Sequence, residues 1–253
     1  MTRNPALETA LRHLKLPAFG QHYARLTEEA ATANLSYDRY LQALAEQEVA
    51  QRDLARQRRC LQQAGFPVLK ELADFDWAAI PNLNRARVLE LAQGAYMDKA
   101  ETVLLVGNPG LGKTHIATAL GCSAARQGHR VRFYTAAGLT AELLQAQSEH
   151  RLSKVLAQVL KNRLLIVDEL GFLPLSQSGA HLLFQFCSTI HERVSLIVTT
   201  NLRFAEWTQL FGSESLTAAL LDRLTARAHI LEFIGESYRL RQRQEQSAAT
   251  PSA

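Results

Sequence analysis

Gly107-Asn108-Pro109-Gly110-Leu111-Gly112-Lys113-Thr114, entered from the apolar run Thr102-Val103-Leu104-Leu105-Val106, is the stretch that decides the fold. It satisfies the pattern G-x-x-x-x-G-K-[ST] at every position. It also stands where that pattern has physical meaning, after a strand and before a helix that starts at Lys113. Glycines let successive backbone N–H groups turn inward around an anion, and the positive end of the following helix adds its dipole. The loop, with His115 just inside the helix, is therefore expected to cradle the phosphates of ATP. Lys113 would carry charge to the β- and γ-phosphates, and the Thr114 hydroxyl would reach a Mg²⁺ ion.

Working outward, short apolar runs recur at Val131–Tyr134, Leu164–Val167, Leu196–Thr200 and His229–Phe233, with helical stretches between them. Their starts are spaced by about 30 residues, the length of a strand–helix–strand unit. Strands apolar on both faces imply a parallel sheet covered by helices on both sides, here of five strands with right-handed crossovers. Two further runs end in polar groups at the edge where the phosphates should lie. Leu164-Leu165-Ile166-Val167 leads into Asp168 and Glu169. Asp168 is expected in the Mg²⁺ shell, and Glu169 is placed to polarise an attacking water; a kinase would exclude that water, so the second acid favours hydrolysis. Leu196-Ile197-Val198-Thr199-Thr200 leads into Asn201, which would orient the water or touch the γ-phosphate.

Residues before 100 show no strand alternation. Leu7, Leu11 and Leu14 have helical spacing and Pro17 ends that run; a second helix is expected near Gln21–Ala33, and a third from Ser36 to about Gln63, stopped by Gly65 and Pro67. Residues 64–100 read as a connector with short helical pieces, Arg85–Ala95 among them. The expected division is a helical domain over 1–72, an ATPase domain over 73–243 and a disordered tail over 244–253. With 47% hydrophobic and 21% charged residues, the chain is neither disordered nor fibrous. Its apolar stretches are too short to cross a bilayer, and its first residues lack the apolar centre of a secretory signal. Cys60, Cys122 and Cys187 form neither a disulfide framework nor a zinc spacing, so a reducing cytoplasm is expected. None of the eight histidines has metal-ligand spacing, and Trp77 and Trp207 read as packing anchors.

At this point the residues resemble a family. GNPGLGKT (107–114), LLIVDELG (164–171), IVTTN (197–201), LLDRL (220–224) and GESYRLR (235–241) look like the AAA+ ATPases of the DnaC/IstB group. The wording of HIATALG (115–121), DELGFLPL (168–175) and FAEW…FG (204–212) is closest to the IstB-like helper ATPases of insertion-sequence transposition. The likeness extends into the leader, at LSYDRYLQALAEQEVAQRD (35–53) and AGFPVLKELADFDW (64–77). It implies an AAA+ core preceded by a small all-α domain, without room for a full C-terminal helical lid. It implies that Arg223 is an arginine finger acting on the neighbouring subunit, with Arg227 and Arg193 as competitors. It further implies that Arg239 is a second sensor arginine. The blander alternative for Arg223 is a helix-surface ion pair with Asp222 or a nearby acid.

Charge is segregated although the net value is only +4. On the helix expected over Arg151–Leu160, Arg151, Lys154, Gln158 and Lys161 share one face, and this face is a candidate track for a phosphate backbone. Arg52, Arg56, Arg59 and Gln63, with Arg58 nearby, form a second stripe, and Arg239, Arg241 and Arg243 a third cluster. A solvated helix face is the alternative for the first two, the second being a candidate for duplex contact or for docking on a partner, and the third could reach DNA or a neighbour. The resulting expectation is a cytoplasmic ATPase that oligomerises on duplex DNA, with ATP between subunits. It would assist a cognate transposase in target selection or remodelling. The alternatives are a DnaC-like helicase loader, a small-metabolite phosphotransferase, and a nucleotide-gated binding module.

Overall fold

The computed structural model describes residues 4–172, 174–235 and 237. Arg239, Arg241, Arg243 and the tail expected over 244–253 lie outside the described residues. The chain forms two compact units, Met1–Arg59 and Cys60–Ala253.

The first unit holds α1 (Pro5–His13), α2 (Pro17–Thr32) and most of α3 (Tyr37–Ala64). Asn4 caps α1 by accepting from the Ala6 and Leu7 N–H groups at 3.1 and 3.2 Å. Pro17 does more than end the first run. It opens α2 four residues before the expected start, because a proline at the first helical position gives up an N–H that would lack a partner anyway. Leu16 supplies no side-chain cap there. Glu48 of α3 substitutes: it is 4% exposed and accepts from the Ala18 N–H at 2.8 Å. Arg52 pairs with that buried carboxylate at 2.8 Å and donates to the Lys15 carbonyl at 2.6 Å.

The second unit contains α4 (Arg85–Ala92), β1 (Thr102–Gly107), α5 (Lys113–Arg126), β2 (Val131–Thr135), α6 (Ala136–Ser148), α7 (Leu152–Val159), β3 (Leu164–Leu170), α8 (Gln177–Ile190), β4 (Ser195–Thr200), α9 (Trp207–Phe211), α10 (Glu214–Thr225) and β5 (Ala228–Phe233). The five strands form one parallel sheet in the order β2-β3-β4-β1-β5, as the apolar runs anticipate. Alternation along β1 divides the core into two layers. Val103 and Leu105 pack with α4, α5 and the segment 60–97, whereas Leu104 packs with α6 to α10. The order turns back at β1, whose neighbours are β4 and β5 while β2 lies at the far edge. In open parallel sheets the ligand crevice lies beyond the strand C-termini at such a reversal.

Residues 60–100 do not behave as a connector. Cys60, Ala64, Phe75, Ile80, Leu83, Val88, Leu91, Tyr96 and Met97 are buried in the same layer as β1. The second compact unit begins at Cys60, whereas the expected ATPase domain begins at residue 73. All three cysteines are buried free thiols; burial raises Cys122 and pushes Cys187 up to about 12, which keeps both inert at neutral pH. Among the described residues no helix is long and apolar enough to cross a membrane.

Candidate functional site

The site grows from the turn between β1 and α5. Gly107, Gly110 and Gly112 all have positive φ, at 150°, 81° and 82°. Gly107 is the tightest: a Cβ there would lie 2.2 Å from the Phe233 carbonyl oxygen, and Phe233 is its ladder partner on β5. Backbone held in a ladder cannot retreat. Gly107→Ala should therefore cost about 2 kcal/mol or more. The melting midpoint of the variant should fall by roughly 5 °C, which differential scanning calorimetry would read.

Gly112 precedes the first turn of α5 and provides no side-chain cap. The first N–H groups of a helix have no carbonyl of their own within it, so this turn is an anion-binding end. Lys113 is 9% exposed and folds back over the loop, donating from Nζ to the carbonyls of Gly107 at 2.6 Å and Asn108 at 2.7 Å. The Thr114 hydroxyl donates to the Asp168 carboxylate, 2.9 and 3.0 Å from its two oxygens. Asp168 is 3% exposed, and it also accepts from the Thr199 hydroxyl at 2.6 Å. Glu169 is exposed and lines the cleft.

The cleft has a volume of about 470 Å³. One side is the loop 109–115 with Glu169, Phe172, Thr199, Thr200 and Asn201; the other is Pro67, Val68, Lys70, Asp74, Phe75, Asp76, Ala79 and Ile80. That second wall is absent from the site residues expected from sequence. His115 ties it to the loop: its Nε2 lies 2.8 Å from the Glu71 carbonyl oxygen, and its ring meets Phe75 edge to face at 5.4 Å. Phe75 in turn meets Trp77 at 4.9 Å, and Arg85 lies over the Trp77 ring at 5.3 Å. Arg126 of α5 pairs with the Glu71 carboxylate, a second tie. Turn residues without helical or strand periodicity carry this wall, so its one signal in the sequence is the family likeness of AGFPVLKELADFDW (64–77).

The donor set Thr114 hydroxyl and Asp168 carboxylate consists of hard oxygens on one side of the loop. That fits Mg²⁺, which takes one or two protein oxygens and keeps waters and phosphate oxygens for the rest.

Arg223 stands elsewhere. It is half-buried on α10, donates to the Ala219 carbonyl at 2.9 Å, and lies 4.8 Å over the Phe184 ring of α8. It is not among the residues lining the cleft, and no ion pair to Asp222 forms among the described residues. Arg227 is engaged with Glu192 at 3.9 Å, and Arg193 is exposed.

Of the basic stripes, α7 has the amphipathic form expected: Leu156 and Val159 are buried, while Lys154, Gln158 and Lys161 are exposed. Arg151 pairs with Glu149 at the surface. Exposed pairs of this kind contribute roughly 1 kcal/mol or less and are readily exchanged for another anion. In the leader stripe Arg52, Arg56 and Arg59 are all exposed on α3; Arg52 also bonds the Glu48 carboxylate and the Lys15 carbonyl, and Arg59 the Ala55 carbonyl.

Known proteins share both this sequence and this fold. The sequence model of the family described as IstB-like ATP binding protein matches residues 9–246. The insertion sequence IS21 putative ATP-binding protein of Pseudomonas aeruginosa is 39% identical over 244 residues, 96% of this chain and 92% of the relative. The IS5376 putative ATP-binding protein of Geobacillus stearothermophilus is 35% identical, covering 92% of this chain and 93% of the relative. Among solved structures, the DnaC helicase loader superposes with a TM-score of 0.51 at 23% identity, over 59% of this chain and 87% of that one. AMPPCP-bound DnaA from Aquifex aeolicus gives 0.56 at 17% identity, over 74% of this chain and 56% of that one. At such identities these structures establish the AAA+ fold alone.

Proposed function

The chain belongs to the IstB-like ATP binding protein family of insertion sequences, and on that premise we propose that it hydrolyses ATP while assembled on duplex DNA and thereby assists a transposase. The observation that carries the reading is the convergence of Lys113, Thr114 and Glu169 on one cleft at the reversal of the sheet, with the buried Asp168 carboxylate bonded to the Thr114 hydroxyl. A binding module needs the loop; it has no use for a second carboxylate turned into the cleft.

The residues divide the chemistry as follows. Backbone N–H groups of the loop and the ammonium of Lys113 hold the phosphates. Thr114 and Asp168 would hold Mg²⁺, which supplies charge neutralisation to the phosphate oxygens. Glu169 accepts a proton from the water whose oxygen attacks the γ-phosphorus, while the bond to the ADP oxygen breaks. Asn201 lines the same cleft and would orient that water. His115 holds the wall 67–80 against the loop, where the nucleoside would lie. Arg223, on another face of the same unit, would stabilise transition-state charge in a neighbouring subunit, so the competent site spans two copies.

DNA association is assigned to the exposed cations Arg151, Lys154 and Lys161 on and beside α7, with Arg56 and Arg59 as the second surface. Each copy presents a modest charge, so binding strength depends on assembly, and assembly on ATP. Affinity measured by fluorescence anisotropy on a duplex should be ATP-dependent, steeply salt-dependent and weakly selective for sequence. Replacing Arg151, Lys154 and Lys161 together by Ala should weaken binding about equally on unrelated duplexes. It should also reduce the slope of log K against log salt by about 0.9 for each phosphate that the assembly no longer neutralises. Binding insensitive to salt and nucleotide would remove this surface from the account. The helicase-loader alternative rests on a fold likeness at 23% identity, whereas the insertion-sequence relatives match nearly full length.

A further inference from the structure

β3 and β4 run in parallel register up to Val167 opposite Val198, and the register resumes at Leu170 opposite Thr200. Between those pairs β3 has Asp168 and Glu169 where β4 has only Thr199, so one strand holds an extra residue: a bulge. Its mark is Glu169, at φ +61°, in the left-handed region that a glutamate rarely enters. Consecutive residues of a regular strand point to opposite faces, so Asp168 and Glu169 would be turned apart without this irregularity. With it, Asp168 meets Thr114 while Glu169 lines the cleft.

A strained backbone persists only where its surroundings hold it. Here one buried side chain does so. The Thr199 hydroxyl is in a residue 1% exposed; it accepts from the Glu169 N–H at 2.9 Å and donates to Asp168 Oδ1 at 2.6 Å. A hydroxyl has one proton to donate and lone pairs to accept, so both bonds form at once. The bulge takes Glu169 out of the regular ladder, and the Thr199 side chain satisfies its N–H.

We propose that Thr199 is a positioning residue for ATP hydrolysis, acting through Asp168 and Glu169 by clipping the bulge that turns both carboxylates to the phosphates. The role rests on the ATPase reading above, and it links the orientation of the metal-binding carboxylate to that of the water-activating one. Valine has the shape of threonine without its hydroxyl. Serine retains the hydroxyl.

The test compares the unaltered protein with Thr199→Val, Thr199→Ser, Glu169→Gln and the double variant Glu169→Gln/Thr199→Val. In nucleotide-free protein, Thr199→Val should speed amide exchange at Glu169 by about tenfold or more, because its N–H loses its acceptor. With ATP and Mg²⁺, kcat should fall about a hundredfold, the scale of a small misplacement of a reacting group. KM should move by less than about threefold, because the loop that holds the phosphates is untouched. Thr199→Ser should recover both exchange protection and kcat. In the Glu169→Gln background, Thr199→Val should cost clearly less than it does in the unaltered protein, since one of the two carboxylates it positions is already gone.

Unchanged kcat in Thr199→Val, or a Thr199→Ser variant as impaired as Thr199→Val, overturns the proposal. So does a full multiplicative loss in the double variant. If Thr199→Val fails to fold, Thr199→Ala must show the same separation of kcat from KM. If the unaltered protein hydrolyses ATP no faster than Lys113→Ala, the ATPase reading fails and the catalytic role with it. The exchange measurement still decides whether Thr199 holds the bulge.

Discussion

Glu169→Gln is expected to bind ATP with nearly unaltered affinity and to hydrolyse it about 10² to 10⁴ times more slowly, the usual contribution of a positioned general base. The amide keeps the size of the carboxylate and its place on the cleft, so the bulge and the Thr199 bond to the residue 169 N–H remain. What it loses is the ability to take a proton from water. Lys113→Ala should fail earlier. Its ammonium folds over the loop at 2.6 and 2.7 Å from two carbonyl oxygens, where it braces the turn and, on the proposed reading, would neutralise phosphate charge. Titration with a fluorescent ATP analogue separates the two: binding retained in Glu169→Gln and abolished in Lys113→Ala. Equal affinity of Lys113→Ala and the unaltered protein would reject the phosphate site altogether. Turnover retained in Glu169→Gln would leave the loop intact and remove water activation by Glu169 from the account.

Mixing Arg223→Ala with Lys113→Ala should restore activity that neither variant has alone. Arg223→Ala keeps a complete cleft, since Arg223 does not line it; if Arg223 is the finger, this variant lacks it, whereas Lys113→Ala keeps it and lacks the phosphate-binding lysine. Interfaces that join one of each then pair a good cleft with a good finger. An arginine finger contributes about 10³ or more in rate, so even a minority of such interfaces rises well above background. Crosslinking establishes that the two variants have assembled together. Absence of rescue in a crosslinked mixture would move the finger to Arg227 or Arg193. The position of Arg223 also predicts a cost to the fold. Its guanidinium covers the Phe184 ring at 4.8 Å, and an arginine over an aromatic face is worth roughly 0.5–2 kcal/mol depending on exposure. Arg223→Lys keeps the charge and serves as the control for that interaction.

Much of this was open to reading from the chain. The loop 107–114 lies within eight consecutive residues and owes its form to local backbone rules, so its glycines and Lys113 could be interpreted without any long-range contact. The same holds for the buried strands, whose apolar runs ended within a few residues of where the structure ends them, and for the apolar face of α7. Asp168 and Glu169 could be placed at the crevice because parallel strands end there.

Other features had no local signature. Pro17 read as a stop because a proline closes one helix and opens the next with equal ease, and only the packing of Glu48 onto the Ala18 N–H decides which. Arg52 belongs by spacing to a cationic stripe, but its guanidinium bonds the Glu48 carboxylate and the Lys15 carbonyl, partners 4 and 37 residues away. Residues 67–80 have neither period, so their conversion from apparent connector into one wall of the cleft rests on the bonds that His115 and Arg126 make to it from α5.

By itself the sequence determined the phosphate loop, the parallel sheet and the pair of acids, because each depends on residues adjacent in the chain. Tertiary structure alone decided how that pair is aimed. Adjacent strand residues point apart by rule, and the bulge that overrides the rule is closed by a hydroxyl thirty residues away on the neighbouring strand. A side chain that bonds across the sheet has no period and no spacing to betray it, so its role exists only where the two strands meet.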